Sequence, residues 1–224
     1  MLHIANSSYL EILKMKKKKK KIWIPILTAM AILVLAGVGY KHITRDRSYH
    51  EIECSTAKVG EGTNEVQGII LHHTATTDVR ETLKTLCFKI EHDASCHVVI
   101  SKDGTRYILA PPTAVTWHAG YSLLNGRENC NDFTIGIEFM GNTQESPLTK
   151  AQINSAIEYI LPIMRQYGIP KENIVTHEKV RHDWMVKNPD RTKELGVKGK
   201  VDISAKEYIR FMAKLEKKME EYVI

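Results

Sequence analysis

Several positions in this chain put metal-binding or proton-transferring groups at the ends of apolar runs. His72 follows GIIL, Glu138 closes TIGIE, His177 follows NIVT, and Lys200 and Asp202 form a Lys-x-Asp just ahead of a C-terminal helical pattern. Two imidazoles and a carboxylate gathered at strand ends, with a second carboxylate nearby, are the components of an open zinc site for hydrolysis. Taken singly, His72 and His177 each read more readily as hydrogen-bonded structural histidines than as ligands. Placed directly after two apolar strands, they emerge at one edge of a sheet, where a metal can be shared.

Zinc then needs a third ligand, and a carboxylate leaves a fourth position open for water. Asp202 in GKVDIS, Asp190 in KNPD and Asp183 in RHD all follow His177. Asp190, beside Pro189, reads as a solvated loop acid. Asp202 is preferred because Lys200 stands two residues before it, and an ammonium beside the metal can stabilise a developing oxyanion. Glu138 ends an apolar strand, where an ionised carboxylate is costly unless it is paired or functional. It could pair with an arginine; as a base it would take a proton from water and return it to a leaving amine.

The elements that must position these groups alternate. Gly68 to Leu71 is a short buried strand, and Asp78-x-x-Glu81 starts a helix with Val79, Leu83, Leu86 and Ile90 on one face. His97 to Ile100, the turn Lys102-Asp103-Gly104, and Thr105 to Ala110 form a hairpin, and Thr134 to Met140 is another strand. Thr149-x-x-Gln152 caps a helix that runs past Pro162 to Gly168, and Ile174-Val175 is a short strand delivering His177. Ser204-x-x-Glu207 caps a last helix with Tyr208, Phe211, Met212 and Leu215 inward. This order gives an α/β domain, a mixed central β-sheet flanked by helices.

The formal charge of +6 is unevenly spread, because residues 1–45 hold nine Lys/Arg and one acid. The remainder carries 23 basic and 25 acidic residues, which leaves no basic footprint for nucleic acid. The block Lys16 to Lys21 precedes 19 uncharged, mostly apolar residues from Ile22 to Tyr40. As a helix these would span about 28 Å, close to a bilayer's hydrocarbon thickness. Lysines on the N-terminal side place that end in the cytoplasm. The expected organisation is a basic cytoplasmic segment at 1–21, an N-terminal transmembrane helix at 22–40 serving as signal anchor, a linker or arm at 41–65, and one catalytic domain at 66–224. A bacterial inner-membrane, single-pass protein with its domain on the extracytoplasmic side follows; a cleaved signal peptide is the alternative. Cys54, Cys87, Cys96 and Cys130 would then meet an oxidising compartment, and four cysteines allow three full pairings.

The segment WHAGYSLLNGRENCNDFTIGIE, Trp117 to Glu138, resembles the zinc-dependent N-acetylmuramoyl-L-alanine amidases of the type 2 amidase and peptidoglycan-recognition family, within it the anhydro-muropeptide amidase branch. IILHHTA, Ser95 to Val98, Thr176-His177 and Lys200 to Asp202 fall in the family's order, so the resemblance covers residues 66 to 215. It implies zinc on His72, His177 and Asp202, the base role on Glu138 and transition-state stabilisation by Lys200. It further implies that His73 stands behind the ligands, that His97, Trp117 and His118 line the cleft, that Asn131 supports the loop leading to Glu138, and that Arg127 and Asn129 contact a muropeptide. The implied reaction is hydrolysis of the amide between the N-acetylmuramic acid lactyl group and L-alanine, with peptidoglycan or a muropeptide as substrate. A non-catalytic peptidoglycan-binding module of the same fold is the competing reading. Two departures stand out: His177 and Asp202 lie 25 residues apart, so residues 182–197 read as an insertion, and Cys96 occupies a position where some relatives carry tyrosine.

Overall fold

The computed structural model describes residues 49–56, 58–88 and 94–221. The chain divides into two units, Met1–Arg47 and Ser48–Ile224. No helix among the described residues is long and apolar enough to cross a membrane; the apolar segment 22–40 and Ile90 lie outside them.

The centre of the domain is a pair of parallel six-residue strands, β2 (Gly68–His73) and β7 (Thr134–Phe139). Runs such as GIIL and TIGI are apolar at every position because a central parallel strand is covered on both faces. Six strands are joined in the order β1-β4-β3-β7-β2-β8, with β1 (Glu51–Glu53), β3 (Val98–Ile100), β4 (Arg106–Ile108) and β8 (Ile174–Thr176) completing the sheet. All neighbours are parallel except β3 and β4, the expected hairpin. A separate two-stranded ribbon, β5 (Leu123–Leu124) with β6 (Arg127–Glu128), lies in the long connection before β7. The helices are α1 (Val79–Leu83), extended by a π turn at Lys84–Phe88, then α2 (Lys150–Tyr167), α3 (His177–Lys187), α4 (Pro189–Glu194) and α5 (Ala205–Glu221).

Strand alternation sorts the chemistry from the core. Ile69, Leu71, Ile135, Ile137 and Phe139 pack with α2 residues such as Ile153 and Ile157 and with Phe211 and Leu215 of α5. The intervening positions Ile70, His72, Gly136 and Glu138 therefore face the opposite side. There Ile70 meets Ala119, Leu124, Phe133, Val175 and Val180. One face of the sheet is given to the apolar core and the other carries the polar groups beneath a long loop.

The sequence leaves Glu51 to Glu53 in the arm, yet these residues form the edge strand β1. Their reason is Arg106, 2 % exposed, whose guanidinium pairs with Glu51 at 2.9 Å and with Glu158 of α2 at 3.2 Å. A buried cation must be paired, and the arm supplies one of its anions. Segment 182–197, read as an insertion, is helical: the second half of α3 and all of α4. It returns against β6, with Trp184 Nε1 donating to Glu128 at 2.9 Å and Arg191 pairing with the same carboxylate at 3.1 Å. The four cysteines are present as thiols; Cys87 and Cys96 are buried in one cluster with Cys54 against it, while Cys130 sits in another.

Helix α2 begins with the expected capping box, and its Gln152 reaches further. Its Nε2 donates to the carbonyls of Ile100 at 3.2 Å and Met140 at 2.9 Å, while Oε1 accepts from Thr149 N–H at 3.0 Å. Gln152→Ala would strand the buried Met140 carbonyl, while that of Ile100 keeps the Met140 N–H at 2.9 Å, and we expect a loss of about 2 kcal/mol in urea unfolding. A change below about 0.5 kcal/mol would mean that water replaces the amide.

Candidate metal centre

Parallel register brings the predicted groups to one level. His72 is directly opposite Glu138 across β2 and β7, and Leu71 is opposite Thr176, so His177 begins α3 beside His72. Thr176 caps α3 through its hydroxyl, accepting from Lys179 N–H at 3.2 Å. This fixes the point at which strand becomes helix, with His177 as the first helical residue. The C-terminal ends of parallel strands are where α/β sheets carry their sites.

The metal-ligand atoms of His72, His177 and Asp202 lie within 4.8 Å of one another, and all three residues are buried. Nδ1 of His72 and Nδ1 of His177 each stand 3.4 Å from Asp202 Oδ2. The other carboxylate oxygen, Oδ1, accepts from the backbone N–H of His73 at 2.6 Å and of Ile203 at 3.0 Å. Oδ2 is thus left facing the imidazoles.

The far ring nitrogens decide which protons remain. His177 Nε2 lies 3.1 Å from the carbonyl of Ala119, which can only accept, so Nε2 carries the proton and Nδ1 a lone pair. His72 Nε2 lies 3.1 Å from His118 Nδ1, and His118 Nε2 lies 3.3 Å from the Thr134 carbonyl. The network assigns His118 as a donor to Thr134 and an acceptor from His72, leaving His72 Nδ1 aimed at Asp202. Two lone pairs and an anion converge at one buried point, which calls for a cation.

Protonation follows the same logic. Burial raises the Asp202 pKa, but the two imidazoles outweigh it and hold the carboxyl well below the usual range. Burial pushes His177 down to about 4, with His72 adding to the effect. Burial also opposes charge on His72, yet the carboxylates of Asp202 and Glu138 prevail and raise its pKa. Two imidazoles and one carboxylate are a donor set that fits zinc and leaves it one further position.

Glu138 is half-buried and adjoins a cavity of about 290 Å³ that also borders His73, Thr74 and Thr82. Its Oε2 is shut off from water and has no hydrogen-bond partner. Burial raises its pKa to about 7, with Asp202 pushing up and His72 and Lys200 pulling down. A larger cleft of about 580 Å³ borders Trp117, His118, Gly120, His177, Arg181 and Lys200. Trp117 is 41 % exposed, a platform over this cleft.

The remaining predicted residues are placed as follows. His73 is half-buried, its Nδ1 accepting from Thr143 N–H at 3.1 Å, and it holds Asp202 through its backbone. His97 is fully buried: Nδ1 accepts from Gly136 N–H at 3.0 Å and Nε2 lies 2.9 Å from the Ala114 carbonyl. It borders neither cavity and pins the loop to β7. Asn131 Oδ1 accepts from the N–H groups of His118 at 3.0 Å and Ala119 at 2.8 Å, so it sets both partners of the two ligand histidines. Arg127 pairs with Glu65 at 3.0 Å, Asn129 donates to Asp132 at 2.6 Å, and neither borders the two cavities. Sequence reasoning passed over Gly136 and Arg181. A Cβ at Gly136 would lie 2.5 Å from His118 Cγ, so only glycine lets that ring rest on β7. Arg181 follows His177 by four residues on α3, a spacing that is informative only once the helix is known to start at His177.

Comparison with known proteins gives a consistent result. The sequence profile of the family described as N-acetylmuramoyl-L-alanine amidase, Amidase_2, matches residues 62–193, ending before Lys200 and Asp202. The 1,6-anhydro-N-acetylmuramyl-L-alanine amidase AmpD of Haemophilus influenzae is 45% identical over 86 residues, 37% of this chain and 45% of the relative. The protein of the same description from Escherichia coli K12 is 35% identical over 89 residues, 40% of this chain and 48% of the relative. The chain thus spans about half the length of the curated relatives it matches. In fold it is similar to the crystal structure of an AmpD selenomethionine derivative, with TM-score 0.50 and 21% identity over 59% of this chain and 82% of that one. It is also similar to the structure of PlyL, with TM-score 0.51 and 18% identity over 75% of this chain and 96% of that one.

Substitutions at the supports of the site should be measurable. Gly136→Ala should displace His118 and weaken zinc binding about 10-fold to 100-fold in competition with a chromogenic chelator; unchanged affinity would show that the His72 to His118 contact is dispensable. Burial holds the His97 pKa down at about 4, below its ordinary 6.5. The folded protein therefore binds fewer protons than the unfolded one between those values, and its stability is full above pH 6.5 and lost as pH falls toward 4. The stability advantage of wild type over His97→Gln should narrow by about 2 kcal/mol between pH 7 and pH 4.5. A constant gap would mean that His97 titrates normally.

Proposed function

The chain belongs to the N-acetylmuramoyl-L-alanine amidase family Amidase_2, and from that premise we propose that it hydrolyses the amide between the N-acetylmuramic acid lactyl group and L-alanine of peptidoglycan or a muropeptide. The observation that carries this reading is the buried convergence of His72, His177 and Asp202 beside a carboxylate whose pKa lies near neutrality. Held by those three side chains, zinc would act as a Lewis acid, polarising a carbonyl and lowering the pKa of water.

The protein's own groups supply the rest. Glu138 accepts a proton from the attacking water and returns it to the departing amine. Burial holds its pKa above the ordinary carboxylate range, which favours keeping that proton until the amine departs. Lys200, on the rim of the larger cleft, brings an ammonium to the oxyanion that forms at the carbonyl. Trp117 offers a flat apolar surface to the substrate's acyl or peptide arm. A module that only binds would have no use for a complete donor set or for a carboxylate left unpartnered, so the enzyme reading is preferred.

The lysine block and the apolar segment 22–40 support a location at the bacterial inner membrane. There the domain, tethered outside the cytoplasm, would meet its substrate.

Mass spectrometry of a defined muropeptide incubated with the zinc-loaded protein tests the reaction. Wild type should release free stem peptide, and a chelator should stop it. Glu138→Ala should lower kcat by about 10²-fold to 10⁴-fold while zinc content stays stoichiometric. Intact muropeptide in every sample, despite bound zinc, would leave a binding module.

A further inference from the structure

One cation in the larger cleft is not used by this chemistry. Arg181 is 9 % exposed, and its Nε is buried with no hydrogen-bond partner. No carboxylate pairs with it among the described residues; the Tyr121 ring lies 6.0 Å from the guanidinium carbon. The guanidinium cannot shed its charge, and a buried unpaired cation costs several kcal/mol. Arg106 in the same protein shows the usual remedy, two glutamates within ion-pair distance.

The surroundings hold Arg181 in place rather than neutralise it. Tyr121 stacks on Trp184 with ring centroids 4.8 Å apart, and Arg191 lies 5.0 Å above the same indole. Trp184 and Arg191 both belong to segment 182–197, so this segment backs the wall on which Arg181 sits. At Gly120, with φ +52°, a Cβ would fall 2.8 Å from Arg181 Nη2, so that residue keeps room for the guanidinium. Arg181 lies one helical turn beyond His177 and borders the cleft together with Lys200. Glu138 borders the other cavity.

We propose that Arg181 is a substrate-reading residue, binding a carboxylate of the peptide stem that lies in the cleft on the His177 side. A planar guanidinium donates two parallel hydrogen bonds to a carboxylate, and in a partly desolvated cleft such a pair discriminates strongly against a neutral amide. This inference rests on the amidase reading for the identity of the ligand, but not for the anion site itself.

The test compares two muropeptides that differ only at the second stem residue, one with a free α-carboxylate and one with a carboxamide. Each is assayed with zinc-loaded wild type, Arg181→Met and Arg181→Lys. Wild type should favour the acid by at least about tenfold in kcat/KM, chiefly through KM. Arg181→Met should reduce the preference to less than about threefold, and Arg181→Lys should restore part of it. Equal cleavage of the two by wild type, or an undiminished preference in Arg181→Met, would overturn the proposal. If wild type cleaves neither, the amidase reading fails, and calorimetric binding of the same two compounds to wild type and Arg181→Met decides the anion site. Acid-selective binding lost in Arg181→Met upholds it; equal binding removes it.

Discussion

A carboxylate oxygen facing two imidazole lone pairs inside a protein is stable only around a positive charge. Asp202 Oδ2 is in that position, 3.4 Å from both Nδ1 atoms, and much of the surrounding structure maintains it. The backbone of His73 and Ile203 occupies Oδ1. The Asp202 carbonyl accepts from Gln144 Nε2 at 2.8 Å, tying the residue to the loop after β7. Each imidazole is fixed by what its other nitrogen touches. Removing any of these leaves the same charges buried with fewer constraints, which is costlier than never having assembled them.

The loop that covers this face is shaped by the same need. Asn131 bonds to two successive N–H groups and thereby presents both the His118 ring and the Ala119 carbonyl to the ligand histidines. His97 accepts from Gly136, and Gly136 gives up a side chain so that His118 can rest on β7. The loop is irregular, but its polar atoms are accounted for one by one, and it holds its shape without belonging to the sheet.

The sequence is most readable where one residue type answers to one local rule. Strands β2 and β7, the hairpin, and the helices capped by Asp78 and Thr149 follow from apolar runs and capping boxes, and the two histidines and Glu138 follow from standing at strand ends. Asp202 was legible through Lys200, although 25 residues separate it from His177 and two helical pieces occupy that interval. What escaped depends on partners distant in the chain. Edge strand β1 sets Glu51 against Arg106, and His97 accepts from Gly136 N–H, pairings between residues far apart in the chain that no local pattern reveals. Arg127 and Asn129, which the family resemblance sets against a muropeptide, bond to Glu65 and Asp132, partners that the local sequence does not announce.

The pairing of His72 with Glu138 across β2 and β7 is a rung of the sheet, and its width is that of any hydrogen-bonded strand pair, about 4.8 Å. Side chains in the covering loop and in α3 can be exchanged one at a time, since each belongs to an element with its own supports. The rung cannot be stretched or shortened by any substitution that leaves the sheet intact. Variation that keeps the sheet intact is therefore confined to the walls of the site: α3, α4 and the loop can change side chain by side chain, while the spacing of His72 from Glu138 goes with the backbone.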